Sequence, residues 1–217
     1  MAPASERTRV RRHPERADYD RQAALAVLDE ALVCHLGLVD GGAPYVIPTM
    51  YARRGDVLYV HGSPASRMLR TAASGLEVCL TVTVLDGLVL ARAAFSHSMN
   101  YRSVVVLGRA VEVTDPEEKM AAFAALVEHV CGGRWADARH PDPKELNATK
   151  VLRLDLTEMS TKVRTGGPRD QEADLALPVW AGVVPLRVLP GPAIPDGAAA
   201  ELTTPAYALE YSRPGWS

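Results

Sequence analysis

Residues 33–70 read VCHLGLVDGGAPYVIPTMYARRGDVLYVHGSPASRMLR, and the reading of this stretch decides the fold. Leu32 to Val39 is apolar and rich in valine and leucine, the composition of a strand. Asp40-Gly41-Gly42 then marks a turn, because glycine reaches positive φ without steric cost and Asp-Gly is a hairpin signal. Pro44 to Ala52 gives a second strand with Pro48 in its interior. A proline donates no ladder hydrogen bond, so this strand is an edge, carries a bulge, or marks a place where the ladder opens. Arg53-Arg54-Gly55-Asp56 makes a second turn. Val57 to His61 follows as a third strand, with Leu58 and Val60 on one face and Tyr59 and His61 on the other. Two hairpins in succession make a meander.

The stretch ends in Gly62-Ser63-Pro64-Ala65-Ser66-Arg67-Met68-Leu69-Arg70. Ser63 reads as a helix N-cap and Pro64 as the first helical residue, where its missing N–H costs nothing. A helix start presents unpaired N–H groups and a partial positive charge. Ser66, Arg67 and Arg70 add a hydroxyl and two guanidinium groups within about two turns. The set matches a phosphate site, although local sequence alone favours an ordinary capped helix with solvated arginines.

Upstream, Asp20 to Ala31 spaces Ala24, Leu25 and Leu28 as an amphipathic helix capped by Asp20. Downstream, Gly75 ends the helix, and Glu77 to Leu85 reads as a strand. Asp86-Gly87 reads as another hairpin turn and Leu88 to Ala94 as the strand after it. Phe95 to Ser103 is a polar segment of the kind that carries function on loops. Val104 to Leu107 and Ala110 to Val113 are again strand-like. Thr114-Asp115-Pro116-Glu117-Glu118 starts a helix that runs to Val130 and stops at Gly132-Gly133. Pro141 and Pro143 bar a regular helix across residues 134–147. Thr149 to Leu156 and Met159 to Val163 complete the strands. The expected fold is mainly β with flanking helices: an antiparallel sheet of six or more strands, closed or nearly closed as a barrel. Residues 1–17 read as a flexible basic arm and residues 18–187 as one domain. Residues 188–217 read as a Pro/Ala-rich tail, extended over the surface or over a partner subunit.

Composition narrows the function. The 217 residues are 47% hydrophobic and 23% charged, with a net charge of −2, which is globular and lacks the basic excess of a nucleic-acid binder. No apolar run approaches the roughly twenty residues of a membrane span. The basic run Arg7 to Arg16 lacks the apolar core of a secretory signal. Of the three widely spaced cysteines, Cys34, Cys79 and Cys131, the first two fall in strands and read as apolar fillers, and a reduced, cytoplasmic protein is the expectation. His97 has no partner at metal-ligand spacing. No nucleophile elbow, phosphate-binding loop or dinucleotide glycine pattern occurs, so hydrolase, nucleoside triphosphatase and Rossmann readings have no support.

The order of motifs resembles the pyridoxamine 5'-phosphate oxidase-like split-barrel flavoproteins, in the flavin-nucleotide-binding branch that includes the nitroimidazole-resistance nitroreductases. The likeness rests on Pro44-Tyr45-Val46-Ile47-Pro48-Thr49, on Leu58-Tyr59-Val60-His61-Gly62 with Ser66-Arg67, and on Asn100 to Ala110. Lys162-Val163-Arg164 and Pro178-Val179-Trp180-Ala181-Gly182-Val183 complete it, over residues 18 to 187. The resemblance implies a split β-barrel homodimer with FMN at the subunit interface. Pro48, Thr49, Met50 and Tyr51 would lie along the isoalloxazine ring. His61 and Gly62 would begin the element under the ribityl phosphate, which Ser66 and Arg67 would hold. Ser103 would add a hydroxyl, and Trp180 would cover the ring from the partner subunit. Where the family commonly has a basic pair, this chain has Arg67-Met68, and Arg70 shares a helix face with Arg67. The implied activity is a flavin-dependent oxidoreductase acting on a small molecule with a nicotinamide or similar electron donor. No side chain is named as acid, base or nucleophile. The alternative is a protein on the same scaffold that binds flavin, deazaflavin (F420) or haem without turnover.

Overall fold

The computed structural model describes residues 2–216. In chain order the elements are β1 (Ala17–Asp18), α1 (Arg21–Glu30), β2 (Val33–Asp40), β3 (Ala43–Arg54), β4 (Val57–Gly62) and α2 (Arg67–Ala73). Next come β5 (Glu77–Leu90), β6 (Ser98–Arg109), β7 (Val111–Glu112), α3 (Pro116–Val130), α4 (Arg134–Asp137) and α5 (Pro143–Asn147). The last are β8 (Lys150–Asp155), β9 (Glu158–Arg164), β10 (Gly182–Pro185) and α6 (Ala206–Leu209). Among the described residues the ten strands form one antiparallel sheet in the order β1-β9-β6-β5-β2-β3-β4-β8-β7, with β10 paired to β5. The path does not return on itself. The barrel is split. No helix among the described residues is long and apolar enough to cross a membrane.

The meander forms as its turns dictate. Asp40 pairs with Ala43 across Gly41 and Gly42, whose φ angles of 57° and 82° are both positive, the geometry of a two-residue hairpin turn. β3 changes partner along its length: Ala43–Met50 pair with β2, and Tyr51–Arg54 pair with β4. Pro48 stands opposite His35 in the half of β3 that β4 does not reach, so the ladder opens where the proline lacks its donor.

The core fills the space between the two arms of the sheet. Leu36, Leu38, Leu58, Val60, Leu80, Val82, Val104, Val106, Leu152 and Leu154 point inward. Leu28 of α1 and Leu69 of α2 enter the same cluster. A second cluster lies under α3, where Tyr59, Val113, Ala122 and Val151 pack with Phe123. Buried aliphatic side chains of this kind each contribute about 1.5–3 kcal/mol, which fixes β4 between α2 and α3.

Four expectations need correction. The second helix begins at Arg67 with Ser66 at its N-cap, not at Pro64 with Ser63. Ser63 instead closes a turn, accepting from Ala65 N on its hydroxyl (3.2 Å) and from Ser66 N on its carbonyl (2.9 Å). Asp86-Gly87 is no hairpin turn: β5 runs through it with a bulge between Leu85 and Gly87. A Cβ on Gly87 would sit 3.0 Å from Val184 O, so the missing side chain admits β10 beside the bulge. Residues 98–103 are strand, leaving residues 91–97 as the connection. Residues 134–147, expected to be irregular, hold the short helices α4 and α5, the latter started by Asp142 and Pro143.

Both termini lie on the domain. Arg7 bridges Glu77 and Glu158, and β1 pairs with β9. After β10 the tail returns to the C-terminal ends of α1 and α3.

Candidate functional site

Two features flank the β2–β3 ribbon. The first is the open edge of β3. Along Ala43–Met50 the backbone groups facing away from β2 have no partner strand, and such an edge can hydrogen-bond the polar rim of a planar ligand. Arg67, the first residue of α2, reaches across to it. Its Nη1 donates to the Tyr45 hydroxyl (3.0 Å), and its guanidinium carbon stands 5.5 Å from the Tyr45 ring centre. The Ser66 side chain makes no cap hydrogen bond. Arg67 and Arg70 are exposed, and among the described residues neither pairs with a carboxylate. Two cations without a carboxylate partner and a hydroxyl at one end of the open edge are suited to an anion. Behind them Gly62 lets α2 close in: a Cβ there would meet Leu69 Cδ1 at 3.0 Å.

The second feature comes from how β5 shares its edge. On the edge of β5 opposite β6, Thr81 and its neighbours pair with β2, residues 87–90 pair with β10, and Val82–Asp86 lie between with no strand on that side. The gap is a cleft of about 590 Å³, within the range of small-molecule and cofactor sites. Val33, Leu85, Val188 and Trp216 line it, and His35 opens onto it. His35 is exposed, and its imidazole makes no hydrogen bond among the described residues. At the wall of the cleft Arg102 joins two carboxylates. Its Nε and Nη2 bond Asp86 (3.0 and 2.7 Å), its Nη2 bonds Glu30 Oε1 (2.9 Å), and its Nη1 bonds Glu30 Oε2. Glu30 is buried, and Asp86 and Glu30 together hold the guanidinium above its ordinary pKa.

The structure distributes the sequence-predicted residues over these features. Pro48 and Met50 stand opposite His35 and Val33, on the ribbon between the two. Thr49 stands opposite the buried Cys34, whose thiol burial pushes up to about 12. Tyr51 does not line either of them with its side chain. It is fully buried, its hydroxyl donates to Leu28 O (2.5 Å), and burial raises its pKa. His61 turns away from α2 and packs on Phe123 (ring centres 6.0 Å apart). Its Nδ1 is buried without a partner, and burial lowers its pKa. Ser66 and Arg67 stand at the start of α2, beside the open edge of β3. Ser103 is registered between Thr83 and Lys162, with its hydroxyl 3.5 Å from Lys162 O. Trp180 is 66% exposed and lies over Gly182, at the end of β10 away from the cleft. Arg102, within the polar segment 95–103, takes two carboxylates of its own chain. His35, Glu30, Asp86 and Trp216 were not singled out as site residues. The one local signal was Asp86-Gly87, which marks the bulge beside the cleft.

A family described as pyridoxamine 5'-phosphate oxidase matches residues 20–163. The chain belongs to this family. The pyridoxamine 5'-phosphate oxidase match spans α1 to β9 and so covers the ribbon, the open edge of β3 and most of the cleft. Solved structures extend the likeness into the tail. The flavocytochrome Anf3 from Azotobacter vinelandii is 39% identical over 98% of this chain and 99% of that one, with a TM-score of 0.92. The FAD and haem binding protein from Mycobacterium smegmatis is 34% identical over 88% and 95%, with a TM-score of 0.84. A candidate 5-nitroimidazole antibiotic resistance protein from Bacteroides thetaiotaomicron is 25% identical over 68% and 86%, with a TM-score of 0.59. No curated protein matches the chain.

Proposed function

We propose that this protein is a flavin- and haem-binding redox protein, an oxidoreductase that draws electrons from a nicotinamide or similar donor. The observation that carries the proposal is an open strand edge and a cleft of about 590 Å³ on either side of one two-stranded ribbon. Two relatives that match nearly the whole chain, a flavocytochrome and an FAD and haem binding protein, support the same reading. The second of them favours FAD over the FMN that the split-barrel resemblance implies.

The residues fit both groups. The open edge of β3 offers backbone donors and acceptors to a flavin's polar rim, and Ser66, Arg67 and Arg70 would hold its phosphate. The cleft offers apolar walls to a porphyrin and the imidazole of His35 to its iron. A bound flavin would supply hydride transfer and a bound haem one-electron chemistry. The chain orients both against one ribbon, whose strands lie about 4.8 Å apart. The ion pairs of Arg102 keep the Glu30 wall fixed, and no side chain is required as acid or base.

The outer face of β3, β2, β5, β6 and β9 supports a homodimer. One row across it reads Pro48, His35, Thr81, Val105 and Ser160, a small and weakly polar surface, and Val33, Val39 and Val46 are 48%, 54% and 67% exposed on the same face. The proposal is tested by cofactor content. Arg67→Ala should release flavin and keep haem, and His35→Ala should do the reverse. Loss of haem from His61→Ala instead of His35→Ala would move the iron ligand.

A further inference from the structure

The C-terminal tail carries a device that neither the family nor the ribbon explains. Arg213 is buried at 9% exposure, and among the described residues no carboxylate pairs with it. Its guanidinium instead meets main-chain carbonyls at two helix ends. Nε donates to Glu30 O (2.8 Å), Nη2 to Asp29 O (2.8 Å) and Ala31 O (3.3 Å), and Nη1 to His129 O. Tyr211 adds its hydroxyl to Val130 O (2.7 Å). Asp29 to Ala31 end α1, and His129 and Val130 end α3. The last carbonyls of a helix have no internal partner and carry its negative partial charge. One cation therefore caps two helices at once, and this accounts for its burial without a carboxylate.

The cap also fixes the last residues of the tail. Trp216 N returns to Arg213 O (3.1 Å), and the indole meets the Tyr211 ring edge-on at 5.8 Å. Between them Gly215 has a φ of +81°, and a Cβ there would collide with the Glu30 carboxylate. The chain thus crosses directly over Glu30, where only glycine fits, and sets Trp216 in the wall of the cleft.

We infer that residues 211–216 are a strap that retains the ring system bound in the cleft, with Arg213 as its pin and Trp216 as the aromatic wall against which a planar group stacks. The inference rests on the cleft being the haem site. Arg213 and Gly215 act through the strap and are positioning residues; Trp216 is the contact.

The test compares wild type with Trp216→Ala, Arg213→Met, Gly215→Val and a chain ending at Glu210. The readout is transfer of haem from the loaded protein to excess apomyoglobin, followed by absorbance. Each variant should release haem about ten-fold faster or more, the worth of one good stacking contact. Trp216→Ala removes no buried hydrogen bond and one edge-on contact with Tyr211, so its haem-free form should melt within about 2–4 °C of haem-free wild type, which separates loss of retention from loss of fold. Release at the wild-type rate from Trp216→Ala and from the shortened chain would overturn the strap. A wild type that takes up no haem refutes the cofactor reading instead. The strap is then read with anilinonaphthalene sulfonate, an aromatic probe: weaker dye binding by Trp216→Ala and by the shortened chain than by wild type upholds it, and equal or greater binding rejects it.

Discussion

Replacing Arg102 with methionine isolates the ion pairs that hold the wall of the cleft. The substitution leaves the Glu30 carboxylate, 6% exposed at its side chain, without the guanidinium that bonds both of its oxygens. Removing one partner of a buried pair costs about 3–5 kcal/mol, because the remaining charge keeps its desolvation penalty and loses its compensation. Arg102 is itself 28% exposed, so water recovers part of the loss and the lower end, about 3 kcal/mol, applies. For a chain of this size that is a fall of about 6–12 °C in the thermal midpoint. The assay is urea unfolding of wild type, Arg102→Met, Glu30→Gln and the double variant. The double variant should be more stable than the sum of the single losses predicts, by about 1–3 kcal/mol, since the buried Glu30 charge that Arg102→Met strands is absent from it, while Asp86, 30% exposed at its side chain, loses its partner equally in both. Arg109→Met serves as control: Arg109 is 69% exposed beside a half-exposed Glu77, and its loss should cost less than about 1 kcal/mol. An Arg102→Met protein within about 0.5 kcal/mol of wild type would refute the reasoning.

Tyr51→Phe should cost about 1 kcal/mol in urea unfolding, since it deletes the hydrogen bond to Leu28 O, and should leave cofactor content unchanged. A Tyr51→Phe protein that loses its flavin would place the residue back at the ring. Stability should fall as pH drops below about 6.5, the value at which unfolded-state histidines take up protons. Burial holds His61 neutral, and burial together with Arg213 holds His129 neutral, so the folded protein binds fewer protons there than the unfolded chain. The contribution is whole above that pH and is lost on acidification. Urea midpoints measured downward from about pH 8 check the sign, and His129→Gln should flatten the profile.

The sequence revealed what is local. The Asp40-Gly41-Gly42 turn, the Asp20 and Asp115 caps and the alternation of Thr149 to Leu156 each carry their reason within a few residues, and the elements they define formed as read. Asp86-Gly87 shows where local evidence divides. The same pair serves a hairpin or a bulge, and the choice was made by the unbroken partner strand β6 and by β10, some hundred residues away in sequence. Ser63-Pro64 carries a sound capping signal, yet the serine closed a turn one step before the helix. Pro48 was legible as an opening in the ladder, and the open edge of β3 follows from it. The cleft was not legible, because it is a gap left between strands from opposite ends of the chain. Arg213 was silent for a related reason: its partners are main-chain carbonyls that any residue could supply.

The central claim is that one chain holds two redox groups on the two sides of the β2–β3 ribbon. It is tested most directly by the absorbance spectrum of freshly purified protein, with chromatography of the flavin that it releases on denaturation. The account predicts the bands of haem and flavin together, with the released flavin running as FAD. A colourless protein that gains neither group when titrated with haem and with FAD would contradict it.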